Sequence, residues 1–392
     1  MDRPVTQDPR PDTDAAVFSF EALSRRPDVE AENLQAHDAA DRLLLDTAAD
    51  RLRTEGSGTV IIGDSYGALT LGAAALYGVR DLRVHQDPYS GELALARNAA
   101  AQGLAGAYRS LPLSPDLVAG ARTVLLRLPR SLDALEEIAA LIAAHAAPDV
   151  VVFAGGRLKH MTIAMNTVLA RFFGMVNAGL ARQKSRVLTV ASPLPADRLP
   201  ENRFPAAQRH DVGLAAPLEL RAYGAAFAGA SLDIGTRFLL PHLSGARDAA
   251  SAIDLGCGTG AIAAYLALTR PTLRVTATDQ SAAAVASAAA TVAANGVADR
   301  VEVRRDDALA GVPDGSAELI VLNPPFHIGA SVHAGIALKL FADAGRVLMP
   351  GGELWTVWNS HLTYKSALAR LVGPTREVAR NPKFTVTVST RR

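Results

Sequence analysis

Four consecutive residues, Asn323-Pro324-Pro325-Phe326, combine types that can hold and aim an amino group. They follow an apolar run, Leu319–Leu322, that reads as a strand. Two prolines at a strand's C-terminal edge cannot continue the ladder, and they fix the direction of the backbone. The Asn323 side-chain oxygen and the Pro324 carbonyl can both accept hydrogen bonds from one NH2 group. Phe326 offers a face for stacking a planar ring. Accepting both amine protons localises the nitrogen lone pair, so the chemistry implied is attack by an exocyclic amine on a positioned electrophile. His327 follows; beside a Phe it reads as a hydrogen-bonded pocket wall rather than a proton shuttle.

The electrophile is suggested upstream. Asp254-Leu255-Gly256-Cys257-Gly258-Thr259-Gly260 follows a short β-rich run and opens an Ala-rich one. Gly256, Gly258 and Gly260 let the backbone approach a ligand closely, and the helix start offers free N–H groups. Such a loop serves NAD, FAD or S-adenosylmethionine alike. The acid ahead of it separates them, because Asp254 would repel a pyrophosphate and tolerate the ammonium and sulfonium of S-adenosylmethionine. Asp279 ends the next strand, 19 positions past Gly260, where an acid hydrogen-bonds ribose hydroxyls. The competing role there is a helix N-cap over Ala282–Ala290, open to Asp279 or Ser281. Asp306 and Asp307 end the strand after that, and Asp307 is the preferred acceptor for an adenine amine. An in-line methyl transfer to nitrogen needs no nucleophilic cysteine, and Cys257 sits in the wrong place to be one.

The elements that must position these residues are α/β in pattern. At 392 residues the chain is long enough for two domains. A break falls near Pro193–Arg221, which holds five prolines with charged residues between them and little periodicity. On each side short β-rich runs alternate with longer Ala/Leu-rich ones, the signature of a doubly wound sheet. Residues 1–20 are expected as a disordered tail, 21–205 as one domain and 206–392 as the second. A single cysteine leaves no disulfide and no Cys-based metal site, which points to a reducing, cytoplasmic compartment. The net charge of +1 argues against a uniformly positive surface. No apolar run approaches the roughly 20 residues of a membrane span. Neither a metal nor a membrane is expected, and the chain is expected as a monomer.

The two halves share landmarks in one order. Thr59–Gly67 stands against Ala252–Gly260, Asp87 against Asp279, and Leu128-Pro129-Arg130 against Asn323-Pro324-Pro325. Gly156–His160 stands against Asn359–Leu362. This is the mark of tandem copies of one fold. In the first copy Ile61 replaces Asp254, Ser65 replaces Gly258, and the amine acceptor is gone, so only the second copy is expected to bind cofactor.

At Asn323-Pro324-Pro325-Phe326-His327 the sequence resembles the two-domain ribosomal RNA guanine-N2 methyltransferases. The likeness extends through Leu232-Asp233-Ile234-Gly235-Thr236-Arg237-Phe238-Leu239-Leu240, Asn359-Ser360-His361-Leu362 and Asn381-Pro382-Lys383-Phe384. Leu34–Asp41 and Asp64–Leu69 look more like the large-subunit rRNA member than the small-subunit one. The resemblance implies two tandem Rossmann-like (class I) S-adenosylmethionine methyltransferase domains, the N-terminal one degenerate. It implies methyl transfer to a guanine N2 of ribosomal RNA, 23S in preference to 16S, or of a ribosomal subunit. Adenine N6 and a protein glutamine amide fit the same acceptors, and a non-catalytic RNA-binding scaffold is the reading from another class. A retained inactive copy needs a use. Arg157, Lys159, His160, Arg171, Arg182, Lys184 and Arg186 form a stretch without Asp or Glu, expected as a helix face that contacts phosphates. Of these, Arg157, Lys159, Lys184 and Arg186, with Phe326 for the base, are the expected RNA contacts. Phe238, Trp358 and Tyr364 are candidates for a second aromatic clamp, but their periodicity suits core positions equally.

Overall fold

The structure, a computed structural model, describes residues 18–31, 34–325 and 330–392. The first half runs α1 (Ala39–Thr54), β1 (Thr59–Ile62), α2 (Ala68–Tyr77), β2 (Leu82–His85), α3 (Tyr89–Ala101), β3 (Tyr108–Ser110), α4 (Pro115–Val118) and β4 (Thr123–Arg127). It continues through α5 (Leu132–His145), β5 (Val151–Arg157) and α6 (Ile163–Ala170) into a hairpin, β6 (Phe173–Ala178) and β7 (Ser185–Pro193). β1 and β2 are buried at every position, as strands covered on both faces must be. Alternate residues serve the two faces. Ile61 joins Leu44, Leu69 and Leu95 in one apolar layer, while Val60 and Ile62 join Leu135, Ile142 and Leu169 in the other. Phe18 and Phe20, assigned to the tail on sequence, stack edge to face 4.9 Å apart against the first layer.

A second hairpin, β8 (Ala206–His210) and β9 (Leu218–Ala222), leads into α7 (Ile234–Leu239), β10 (Ser251–Leu255), α8 (Ala261–Thr269), β11 (Arg274–Asp279) and α9 (Ala282–Ala294). Then follow β12 (Val301–Arg305), β13 (Ala317–Leu322), α10 (Ala330–Val347), β14 (Leu348–Asn359), α11 (Lys365–Leu371), β15 (Thr375–Arg380) and β16 (Phe384–Thr390). The stretch expected as an aperiodic break therefore contains structure. Leu218, Leu220 and Ala222 alternate inward, and Glu219 N and Arg221 N donate to Oδ1 of Asn295, the C-cap of α9, and to Thr291 Oγ1 within it. β15 has no apolar periodicity to announce it, because it is a sheet edge and carries charge instead.

The two sheets have the same topology. One is ordered β3-β2-β1-β4-β5-β7-β6 and the other β12-β11-β10-β13-β14-β16-β15. Pairing registers correct two of the landmark matches. Ile61 pairs with Val84 and Leu125, as Asp254 pairs with Ala277 and Val321. Gln86, not Asp87, thus stands at the place of Asp279, and Arg127, not Leu128, at the place of Asn323.

The halves meet corner to corner at the turns after β2 and β11. Pro88 and Ser281 form an antiparallel bridge. Tyr89 N donates to Gln280 O and Ala282 N to Asp87 O, both at 2.9 Å. Each turn gives the other the same bond, so a local two-fold relates the corners. Arg305 fastens them, pairing with Glu92 at 2.7 Å and donating to the carbonyls of Gln86 and Asp87. No helix among the described residues is long and apolar enough to cross a membrane.

Candidate active site

A cavity of about 350 Å³ opens at the C-terminal ends of β10 to β13, where the strand order of the second sheet reverses and open α/β sheets bind their ligands. Gly256 and Gly258, Asp279, Asp306 and Asp307, Asn323, Pro324 and Pro325 all line it. So do Asp28, Val29, Asp87, Pro88 and Ser90 of the first half. The cavity is therefore built by both halves, which the local patterns of either do not reveal.

The glycine loop is shaped by its own backbone. Gly256 N and Cys257 N both donate to Thr278 O, at 2.8 and 2.9 Å, which turns the loop back over β11. A Cβ added at Gly256 or Gly258 would meet no atom within 4 Å, so ligand atoms have room there. Gly260 has a different task from the one expected. It sits at φ +77°, and a Cβ there would come within 2.9 Å of Ala288, so it packs α8 onto α9 and does not line the cavity.

Asp254 is also displaced from its expected role as the ammonium-facing wall. It is fully buried beneath the loop and absent from the cavity lining. Its Oδ2 accepts from Ala263 N at 2.9 Å near the start of α8, and its Oδ1 has no partner among the described residues. Burial pushes its pKa up to about 7, with the Asp279 charge adding to the rise against the Ala263 N–H. A group raised in the folded state stabilises it most below the unfolded value of about 4, and that contribution is lost as pH climbs through 7. Asp254→Asn is therefore expected to raise the Tm of the cofactor-free protein by about 3 °C at pH 8 and to leave it unchanged at pH 5. Thermal melts at the two pH values check this; an equal shift at both would contradict it.

Asp279 folds both oxygens inward: Oδ2 accepts from Gly258 N at 3.0 Å and Oδ1 from Ser281 N at 2.9 Å. Burial, and beyond it the Asp87 charge across the interface, push its carboxyl above the usual range. The N-cap of α9 is Ser281, whose Oγ accepts from Ala284 N, so Asp279 is not needed for that task. Asp306 accepts from Gly311 N at 3.0 Å. Asp307 is ion-paired with Lys339 of α10 at 2.5 Å, so the wall there presents a pair rather than a lone acid. Burial pushes the Cys257 thiol well up, and with Asp279 and Asp254 nearby it stays protonated and inert.

At the end of β13 the Asn323 amide is held from behind. Its Nδ2 donates to Asp233 Oδ2 at 2.8 Å and to Thr236 Oγ1 at 2.9 Å. Its Oδ1 is buried and has no partner among the described residues. A carboxylate can only accept, so the amide cannot be turned over without setting Oδ1 against Asp233. Pro324 is buried and Pro325 exposed. Phe326 and His327 lie outside the described residues.

Sequence patterns pass over three further residues here. Asp233 and Thr236 lie in a segment singled out only by likeness, and its short helix α7 is what aims them at Asn323. Phe227 is 60% exposed and lines the same cavity. It rides a turn anchored to both halves, since Gly224 N donates to Glu137 Oε2 at 2.7 Å and Tyr223 N to Ser287 Oγ at 2.9 Å. Trp358 and Tyr364 are core, in edge contact with each other, and Phe238 packs near Phe384.

The basic stretch of the first half is not one helix face. Arg157 ends β5, Lys159 and His160 form a 3-10 turn, and Lys184 and Arg186 bracket the start of β7. Pairing of Gly156 with Arg186 and of Arg157 with Ser185 gathers four of these cations where the C-terminal end of β5 meets the start of β7. Arg171 and Arg182 are ion-paired to Glu136 and Asp46 instead, and Phe172 and Phe173 are core.

Comparison with known proteins gives consistent results. Residues 15–193 match the family described as the RLMG N-terminal domain, and residues 217–388 that described as the methyltransferase small domain. Ribosomal RNA large subunit methyltransferase G of Pseudomonas paraeruginosa is 38% identical over 95% of this chain and 98% of its own length. The protein of that name from Streptomyces coelicolor is 36% identical over 93% of this chain and 96% of its own. Among solved structures, the T. thermophilus 16S rRNA N2 guanine methyltransferase RsmC, in complex with AdoMet and guanosine, superposes with a TM-score of 0.71. It covers 96% of this chain and 100% of its own at 21% identity, so what the two share is the fold.

Proposed function

We propose, because the chain belongs to the ribosomal RNA large subunit methyltransferase G family, that it methylates the exocyclic N2 of a guanine in 23S ribosomal RNA from S-adenosylmethionine, in the cytoplasm. The observation that carries this reading is the Asn323 amide: both its N–H groups are engaged, and its buried oxygen is left without a partner at the cavity wall. A buried acceptor of that kind costs about 1–3 kcal/mol unless a ligand satisfies it, and an amine N–H does so.

The cavity suits S-adenosylmethionine, which supplies an electrophilic methyl group on a sulfonium. Gly256 and Gly258 leave space for it, Asp279 takes the ribose hydroxyls, and the Asp307–Lys339 pair takes the adenine edge. Asp254 and Gly260 serve indirectly, by holding the loop and α8 in place. Asn323 Oδ1 and the Pro324 carbonyl accept hydrogen bonds from the two amine N–H groups, while Pro325 flanks the base. As the nitrogen acquires its new bond it turns positive, the two acceptor dipoles already face that charge, and the surplus N–H proton then leaves to solvent.

The first half reads as a degenerate Rossmann-like copy. Gln86 replaces Asp279 and donates to the Asp64 and Ser65 carbonyls. Gly91 lets that loop collapse, since a Cβ there would lie 2.6 Å from Ser65 O. Its remaining use is RNA. Arg157, Lys159, Lys184 and Arg186 form no ion pair among the described residues. Transfer of labelled methyl to naked 23S rRNA, 16S rRNA, assembled subunits and protein tests the proposal; absence of label in 23S rRNA in every form would overturn it. In that assay Arg157→Ala with Arg186→Ala is expected to raise the KM for RNA about tenfold, leave kcat alone, and reduce the salt slope of binding by about 2.

A further inference from the structure

We infer that Asp233, with Thr236, is a positioning residue for the transfer step: the pair locks the Asn323 amide oxygen toward the amine and sets a negative charge directly behind it. This rests on the reading of Asn323 as the amine acceptor. Asp233 Oδ2 has two duties, accepting from Thr236 N at 3.0 Å as the N-cap of α7 and from Asn323 Nδ2 at 2.8 Å. The approach of α7 that makes this possible depends on Gly235. A Cβ there would come within 3.0 Å of Asp233 Oδ2 and 3.5 Å of Asn323 Nδ2. No cation is paired with Asp233 among the described residues.

The first half fills the same three places differently, and the contrast is informative. Asp38 is the N-cap of α1 as Asp233 is of α7, Asp41 stands where Thr236 does, and Arg127 where Asn323 does. There Arg127 bonds Asp38 at 2.9 Å and Asp41 at 2.6 Å, so both acids share one cationic partner and the arrangement is closed. The second half exchanges the cation for an amide and one acid for a hydroxyl. What remains is one uncompensated carboxylate, joined through a polarisable amide to an open acceptor. An arrangement serving only to pin α7 would not need that open end. A negative charge one amide away from a nitrogen that turns positive lowers the energy of the transition state more than that of the ground state.

Two substitutions separate orientation from charge. Asp233→Asn keeps an oxygen for Thr236 N and Asn323 Nδ2 but removes the charge. Asp233→Ser keeps the helix cap but no longer reaches the amide. Single-turnover transfer to 23S rRNA is expected to fall about tenfold in the first and about 10²-fold in the second. The Kd for S-adenosylmethionine by calorimetry and the KM for RNA are expected to stay within threefold in both. If Asp233→Ser does not fold, Asp233→Asn carries the test through its rate alone. Wild-type rates in the folded variants, while Asn323→Ala is inactive, would overturn the inference and leave the acceptor assignment standing. Wild-type rates in all three, Asn323→Ala included, would overturn the acceptor assignment itself. A rate loss matched by an equal loss of cofactor affinity would show a structural cap and overturn the inference.

Discussion

Asn323→Ala is expected to slow single-turnover methyl transfer by about 10²- to 10³-fold while S-adenosylmethionine still binds within about threefold of its original affinity. The magnitude is that of removing one preorganised dipole from a site where charge develops. Affinity is spared because the groups assigned to the cofactor, Asp279 and the Gly258 turn, bond each other and Ser281 without Asn323. Restoring an oxygen does not restore the function. Asn323→Asp would place two carboxylates at the 2.8 Å now separating Asn323 Nδ2 from Asp233. One of them would then hold a proton at neutral pH, and the acceptor geometry would be lost. Calorimetry and rapid-quench transfer on the same preparations check the split. Unchanged turnover in Asn323→Ala would show that the amine is held elsewhere.

How much of this site could be read from sequence depends on whether a feature is local. The apolar run into Asn323-Pro324-Pro325 and the Asp254–Gly260 loop are strand-to-turn patterns, and the structure puts both at the ends of adjacent parallel strands. Depth is not local. Asp254 and Gly260 carry the motif's chemistry in type and spacing, yet both lie under the cavity rather than in its wall. Register is not local either. Sequence alone passes over Gln86 and Arg127, because neighbours one residue away, Asp87 and Leu128-Pro129, look more like Asp279 and Asn323-Pro324. Only the pairing of Ile61 with Val84 and Leu125 decides the matter. The cations at 157–186 read as one helix face because the stretch, including the region between them, carries no Asp or Glu. That region is α6, Ile163–Ala170, and the cations lie outside it. The contribution of Asp28, Val29 and Asp87 to the cavity follows from the two-fold docking of the halves, for which neither half carries a sequence signal.

That docking is expected to give cofactor binding a pH dependence. Asp279→Ala is expected to weaken S-adenosylmethionine about 10²-fold if it holds the ribose as proposed, since two hydrogen bonds from hydroxyls to a charged acceptor together contribute roughly 3 kcal/mol. In the unaltered protein the same acceptor weakens as it is protonated. Burial and the neighbouring Asp87 raise the Asp279 carboxyl, so affinity is expected to be full at high pH and to decline as pH falls through that raised value, above the range of an ordinary aspartate. Asp87 is the part of this that belongs to the first half. Its Oδ1 accepts from Ser281 Oγ and Ala283 N, at 3.0 and 2.9 Å. Asp87→Asn can keep those bonds through its own oxygen while removing the charge. The variant is expected to bind S-adenosylmethionine as tightly as the original protein at pH 8 and to hold that affinity to lower pH, because Asp279 then ionises more readily. Calorimetric titrations from pH 5 to 8 read the displacement directly. Identical pH profiles would mean that burial alone raises Asp279 and that the first half contributes shape to the cavity but no charge.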